Sequence, residues 1–163
     1  MSNEPAEKPA KRKTSPTLWF VLALVVALSV LTWLGRRPPV ERVNWLSDYD
    51  RAAALATDTN RLLLIDFTAR YCGACQYMDS TVFTSQSVAD TIEAGYVPIK
   101  VDMGRQTSQS LNLVQRYRVW ATPTLIITDR SGRQIDRVEG GITEDQMINW
   151  LRAVQRAKDR PTT

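Results

Sequence analysis

Polarity along the chain changes character twice. Residues 1–16 are polar, rich in Lys, Pro, Glu and Ser, and too poor in apolar residues to fold alone, which predicts a disordered basic tail. From Thr14 to Gly35 no residue is charged, and Thr17 to Leu34 is almost entirely Leu, Val, Ala and aromatics. At about 1.5 Å per helical residue such a run reaches roughly 27 to 33 Å, against a hydrocarbon core of about 30 Å. It predicts a transmembrane helix, a signal anchor, at 17–35. Trp19 and Trp33 stand near its ends, where indole rings favour the headgroup layer. A cleaved signal peptide shares the pattern, but cleavage at Ala27-Leu28-Ser29, the only small-x-small candidate, would leave an apolar stub from Val30 to Leu34. The uncleaved anchor is the better reading. Arg36-Arg37-Pro38-Pro39 then opens a short, stiff linker over 36–42.

Beyond the linker the pattern alternates, with a domain expected at 43–158 and a tail at 159–163. A short first strand is expected near Val43, then a capping box at Ser47 and Asp50 ahead of an Ala-rich helix over 48–57. Arg61–Thr68 holds Leu62-Leu63-Leu64-Ile65 and Phe67, an apolar run of the kind buried on both faces of a parallel sheet. A helix should start at Cys72 and run to about Phe83, with a second piece from Ser85 to Glu93. Val97–Asp102 reads as a strand whose Pro98 needs an edge or a first position. Leu111, Val114 and Tyr117 mark a helix by three-residue spacing. Thr124–Thr128 and Gln134–Val138, separated by Asp129-Arg130-Ser131-Gly132, predict a hairpin. Thr143 and Gln146 cap a last helix with Met147, Trp150, Leu151 and Val154 on one stripe. The order βαβαβαββα indicates an α/β domain with a mixed sheet flanked by helices.

The net charge of +4 changes meaning once it is located. Residues 1–40 carry six basic groups against two acidic, and the remainder of the chain carries fifteen of each. The excess flanks the apolar run, so nothing in composition argues for a nucleic-acid partner, and the membrane is the expected one. The basic groups on both sides give only a slight preference for an N-terminus inside the cytoplasm. Histidine is absent, which excludes Ser-His and Cys-His hydrolases and imidazole metal sites. The two cysteines, Cys72-Gly73-Ala74-Cys75, exclude a disulfide-stapled scaffold and a four-thiolate metal site within one chain.

A Cys-x-x-Cys at the first turn of a helix has its own logic. Unpaired amides and the positive end of the helix dipole stabilise a thiolate, lowering a cysteine pKa from about 8.5 towards neutrality or below. Cys72 would occupy that end as nucleophile, and Cys75, one turn further in, would resolve the mixed disulfide. Gly73 and Ala74 bring neither charge nor side-chain hydrogen bonds, which favours a reductase over a strong oxidant. By spacing alone, a structural disulfide in a non-catalytic binding module or half a zinc site shared between two chains remain alternatives.

The surroundings add to the spacing. Asp66-Phe67-x-Ala69-x-Tyr71-Cys72-Gly73-x-Cys75 resembles the active-site segment of thioredoxins, and Tyr117-Arg118-Val119-Trp120-Ala121-Thr122-Pro123-Thr124-Leu125 resembles their segment carrying a cis-proline opposite the dithiol. The resemblance covers residues 41–158. The stretch Asp79-Ser80-Thr81-Val82-Phe83-Thr84 is more similar to the C-terminal domain of the transmembrane thiol reductase DsbD. Ala74 departs from thioredoxin, where proline is usual, and the chain lacks the multi-spanning electron carrier of DsbD. The resemblance implies a thioredoxin-like fold and a thiol–disulfide oxidoreductase acting on disulfide-containing exported proteins, by reduction, or by oxidation or isomerisation as the alternative. It needs no cofactor beyond the redox-active Cys72–Cys75 disulfide, and its reducing equivalents come from an external dithiol, with a transmembrane thiol reductase as the candidate. Asp66 is implied as the proton acceptor for Cys75, Lys100 as its ion-pair partner, and Pro123 as the cis-proline. Tyr71, Gly73, Ala74, Trp120 and Thr122 form the expected substrate-binding surface. An anchored dithiol is useful where disulfides persist, so a periplasmic or other extracytoplasmic location is expected.

Overall fold

The computed structural model describes residues 16–35 and 40–160. The expectations for residues 1–15, for linker positions 36–39 and for 161–163 lie outside them. Residues up to Pro38 and from Pro39 onward are separate compact units. In the first, α1 (Pro16–Gly35) starts with proline, whose missing amide costs nothing at a helix start. No side chain of α1 is buried, and its mean hydropathy of 2.3 over a membrane-length window makes it the one described helix long and apolar enough to cross a bilayer. Ser29 and Thr32 donate their hydroxyls to carbonyls of the same helix, at 2.7 and 2.9 Å, so neither requires water.

The second unit is built on β1 (Leu62–Thr68), the most apolar strand. It pairs in parallel with β2 (Tyr96–Asp102) and antiparallel with β3 (Thr124–Thr128), which pairs antiparallel with β4 (Gln134–Glu139), giving the sheet order β2-β1-β3-β4. β2 is an edge strand, which is how Pro98 is tolerated. Alternation sends Leu62 and Leu64 to one face, against Met78, Val82, Phe83, Ile92 and, from α6 (Glu144–Lys158), Met147 and Leu151. Leu63, Ile65 and Phe67 go to the other face, against Ala52 and Ala56 of α2 (Tyr49–Asp58) and Leu113 and Tyr117 at α5 (Ser108–Arg116). Asp66 continues the first face. That face is covered by a π-helical turn at Met78–Val82, which continues the cysteine-bearing helix α3 (Gly73–Tyr77), and by α4 (Gln86–Gly95).

Several expectations are corrected. The first strand near Val43 shrinks to one bridge, Leu46 with Ile99, because the Trp45 amide turns back onto the Val43 carbonyl (3.1 Å) and the cap of α2 follows at once. That cap is Asp48, which accepts from the Arg51 amide at 2.8 Å, and not Ser47, whose carbonyl receives the Gln109 amide group. Leu111 is exposed. The buried stripe of α5 falls on Ser110, Leu113 and Tyr117, as a period of 3.6 requires. The linker ends earlier than 42: the Arg42 amide donates to the Phe83 carbonyl (2.9 Å), and its guanidinium donates to the Thr84 carbonyl and to Gln86 Oε1, both at 3.0 Å.

Candidate active site

Cys72 is the N-cap of α3, with extended φ and ψ of −115° and 104°, and the Cys75 amide donates to its sulfur at 3.1 Å. The sulfur therefore holds the position where a helix offers free amides, a seat that favours thiolate. Cys72 and Cys75 are joined as a disulfide with 5.2 Å between their Cα atoms. Cys72 is half-buried, while Cys75 is buried beneath it, so an incoming sulfur meets Cys72 first. The loop ahead of the pair is pinned by Gln76, whose side chain donates to the Arg70 carbonyl at 3.1 Å.

Two large aromatic side chains of the expected binding surface stand open to solvent. Tyr71 and Trp120 are 94% and 86% exposed, unusual for side chains of their size. Gly73 and Ala74 are exposed as well, and Thr122 lines with Tyr71 and Cys72 a cleft of about 420 Å³ that also holds Arg70 and Arg105. Pro123 is buried, and the Thr122–Pro123 bond is cis. A larger groove, about 920 Å³ and lined by Arg61, Arg152 and Arg156, shares no residue with this cleft.

A charged cluster surrounds Asp66 on β1. Asp66 is 2% exposed, and its Oδ1 has no hydrogen-bond partner. Burial pushes its pKa up to about 7, opposed by the nearby Lys100 ammonium and helped by the negative charges of Asp79 and Glu41. The strand register sets Lys100 beside Asp66, but the ammonium stands 4.0 Å from Asp66 Oδ2, at the limit of an ion pair. Its short bonds go to Asp79 Oδ1 and Glu41 Oε1, both 2.8 Å, with the Trp45 and Phe83 rings at 5.0 and 5.3 Å. The Asp66–Lys100 pairing implied by resemblance is thus present only at its outer limit, while the hydrogen bonds of Lys100 go to two other carboxylates. Burial alone would lower the Lys100 pKa, but these two hydrogen bonds reverse that and raise it, while burial raises that of Glu41. Three carboxylates around one ammonium leave an excess of negative charge, and the most buried acid is the one most readily protonated.

For Asp79 the readable signal is its place four residues after Cys75, a spacing that in an α-helix brings two side chains to one face. Glu41 had none, since only the fold brings it to Lys100.

A dithiol seated at a helix start, preceded by a strand that carries a buried acid, on a mixed sheet of this order is the arrangement of a thiol–disulfide oxidoreductase. A family profile described as a thioredoxin-like domain matches residues 49–155, and the chain belongs to that family. The thiol:disulfide interchange protein DsbD of Actinobacillus pleuropneumoniae is 30% identical over 113 residues, which are 68% of this chain and 19% of that protein. The chain spans about a fifth to a quarter of the length of the DsbD proteins it matches. A thioredoxin from Thermus thermophilus superposes with a TM-score of 0.62 at 28% identity, over 70% of this chain and 88% of that one. The oxidised DsbD C-terminal domain of Neisseria meningitidis shares the fold at a TM-score of 0.58 and 16% identity, over 67% of this chain and 97% of that one.

Proposed function

We propose that the chain is a membrane-anchored thiol–disulfide oxidoreductase that reduces or exchanges disulfides of exported proteins in the periplasm or a comparable extracytoplasmic space. The observation that carries this reading is the layered site: a reachable Cys72 at the helix start, Cys75 buried after it, and a buried acid, Asp66, on the strand that leads into them. In the reduced protein the Cys72 thiolate attacks one sulfur of a substrate disulfide. That S–S bond breaks, its other sulfur leaves with the electron pair and takes a proton, and a mixed disulfide to Cys72 remains. Cys75 gives its proton to the Asp66 carboxylate, directly or through a water, and attacks Cys72 Sγ. The substrate departs as a dithiol, the Cys72–Cys75 disulfide forms, and two electrons have moved. An external dithiol must restore them, and the likeness to DsbD supports a transmembrane thiol reductase as donor.

Tyr71 and Trp120 act as the apolar landing surface, together with Gly73, Ala74 and the Thr122 backbone, which is available to an extended substrate. Anchoring is supported by the length and hydropathy of α1, and the compartment by where disulfides persist. The neutral Gly73-Ala74 pair favours reduction.

The test is Cys75→Ala in the full chain in its native membranes. Cys72 should then accumulate adducts that reductant releases, and these should be disulfide-containing exported proteins. A variant that traps nothing, with a wild-type disulfide that resists mild reductant, would mark a structural bridge in a binding module instead.

A further inference from the structure

We infer that Glu41 is a positioning residue for the reaction: with Asp79 it holds Lys100 between two carboxylates, so that the ammonium stands off from Asp66 and leaves that acid free to change protonation. This rests on reading Asp66 as the proton acceptor for Cys75. The division of the ammonium is unequal, 2.8 Å to Glu41 and to Asp79 against 4.0 Å to Asp66. An ammonium has three N–H donors, of which two are committed here, and the Trp45 and Phe83 rings stand 5.0 and 5.3 Å from it. Asp66 Oδ1 is left without any partner.

Glu41 is not a loose surface acid. It precedes Arg42, which is fastened by three hydrogen bonds to the chain that follows the π-helical turn. The Glu41 carboxylate is thereby delivered to Lys100 from a segment only six positions after the end of α1. The charged groups that act on Asp66 are Lys100 from β2, Asp79 from the π-helical turn and Glu41 from the lead-in segment, while β3 presents Leu125. Without Glu41, one negative charge and one of the two short tethers on Lys100 are gone, and the ammonium is free to close on Asp66. An ammonium in contact holds a carboxylate in its charged form, lowering the pH at which it takes a proton.

The experiment uses the full chain in detergent. Cys72 is loaded at acid pH as a mixed disulfide with thionitrobenzoate, and after a jump in pH the coloured thiolate is released as Cys75 attacks Cys72 Sγ. The release rate against pH has a midpoint set by Asp66. Glu41→Gln should lower that midpoint by about one pH unit, a typical effect of bringing an opposite charge into contact. Arg42→Ala, which loosens the segment without altering the carboxylate, should move it the same way and serves where Glu41→Gln does not fold. A midpoint unmoved in these variants, while Asp66→Asn abolishes it, overturns the role of Glu41 and leaves Asp66 as acceptor. A wild-type midpoint that survives Asp66→Asn removes the acceptor and this inference with it.

Discussion

Two buried polar clusters sit on opposite faces of the same sheet, and they are built to different rules. Beside Phe67, the Tyr117 hydroxyl donates to the Gly132 carbonyl at 2.9 Å and meets the Tyr49 hydroxyl at 3.1 Å. Arg116 donates to the same carbonyl at 3.1 Å, with its guanidinium over both tyrosine rings at 5.9 and 5.4 Å. No polar side-chain atom of these residues is buried without a partner, and burial raises the Tyr117 pKa so that the phenol stays neutral. On the other face Asp66 keeps an unpartnered oxygen beside an ammonium shared with two rivals. A satisfied network specifies a fold, whereas an unsatisfied one costs stability and persists where chemistry uses it.

Asp66→Asn is the strongest way to break this contrast. Removing the proton acceptor should slow thionitrobenzoate release at neutral pH by about 10²-fold, the scale of general-base catalysis. The same change should stabilise the oxidised protein, on the order of 2 kcal/mol at pH 8, because a buried uncompensated charge disappears. The sign follows from a folded pKa of about 7 against 3.8 for the ordinary acid. The folded state holds a proton that the unfolded chain has released, so Asp66 contributes full stability below about 3.8 and loses it as pH rises through about 7. Denaturant melts at several pH values should therefore separate the variant from wild type at high pH and bring them together in acid. A variant less stable at pH 8 would make Asp66 a structural acid and erase the distinction between the clusters.

Tyr117→Phe sharpens the contrast from the other side. It deletes a hydroxyl bonded to Gly132 and Tyr49, and the loss should be about 1 to 2 kcal/mol in denaturant melts. Release of thionitrobenzoate from Cys72 should keep its rate and its midpoint, since nothing in this cluster touches the sulfurs. A slowed release would show the two faces to be coupled through β1.

The two clusters also differ in how far local sequence reveals them. Cys72, Cys75 and Asp66 sit within ten positions of one another, on an apolar strand and the helix start that follows it, so local spacing together with the resemblance singles them out. The hairpin and the Thr143 cap are local in the same way, and both form where expected. What spacing misses is set by distant parts of the chain. Lys100 meets Glu41 across 59 positions and Asp79 across 21. The domain boundary expected at residue 43 would cut away Glu41 and Arg42, because a polar segment after two prolines reads as linker until Phe83, Thr84 and Gln86 are seen to receive it. The strand expected near Val43 fails for a related reason. β propensity does not reveal that a helix cap lies two residues beyond Leu46.

A third polar cluster, at the hairpin turn, extends the contrast to the surface, where the smallest effect is expected. Asp129 accepts from the amides of Ser131 and Arg133 at 3.0 and 2.9 Å and from the Ser131 hydroxyl at 2.6 Å, while the Arg133 guanidinium reaches its other oxygen at 3.0 Å. The turn then needs Gly132, whose φ is +77°. Burial would raise the Asp129 pKa, but the hydrogen bonds from Ser131 and Arg133 outweigh it and lower the value to about 2. Asp129→Ala should cost less than about 1 kcal/mol, because water takes over much of the bonding at a partly exposed turn. Its sign is opposite to that of Asp66. The wild-type advantage is present above the ordinary value of 3.8 and is lost as pH falls towards about 2. Melts of the two variants should therefore approach wild type in acid from opposite sides, Asp66→Asn from above and already level where Asp129→Ala, lying below, has only begun to close. If Asp129→Ala stayed equally destabilised down to pH 2, the carboxylate would be holding the turn by shape alone and the charge-assisted account of its bonds would be wrong.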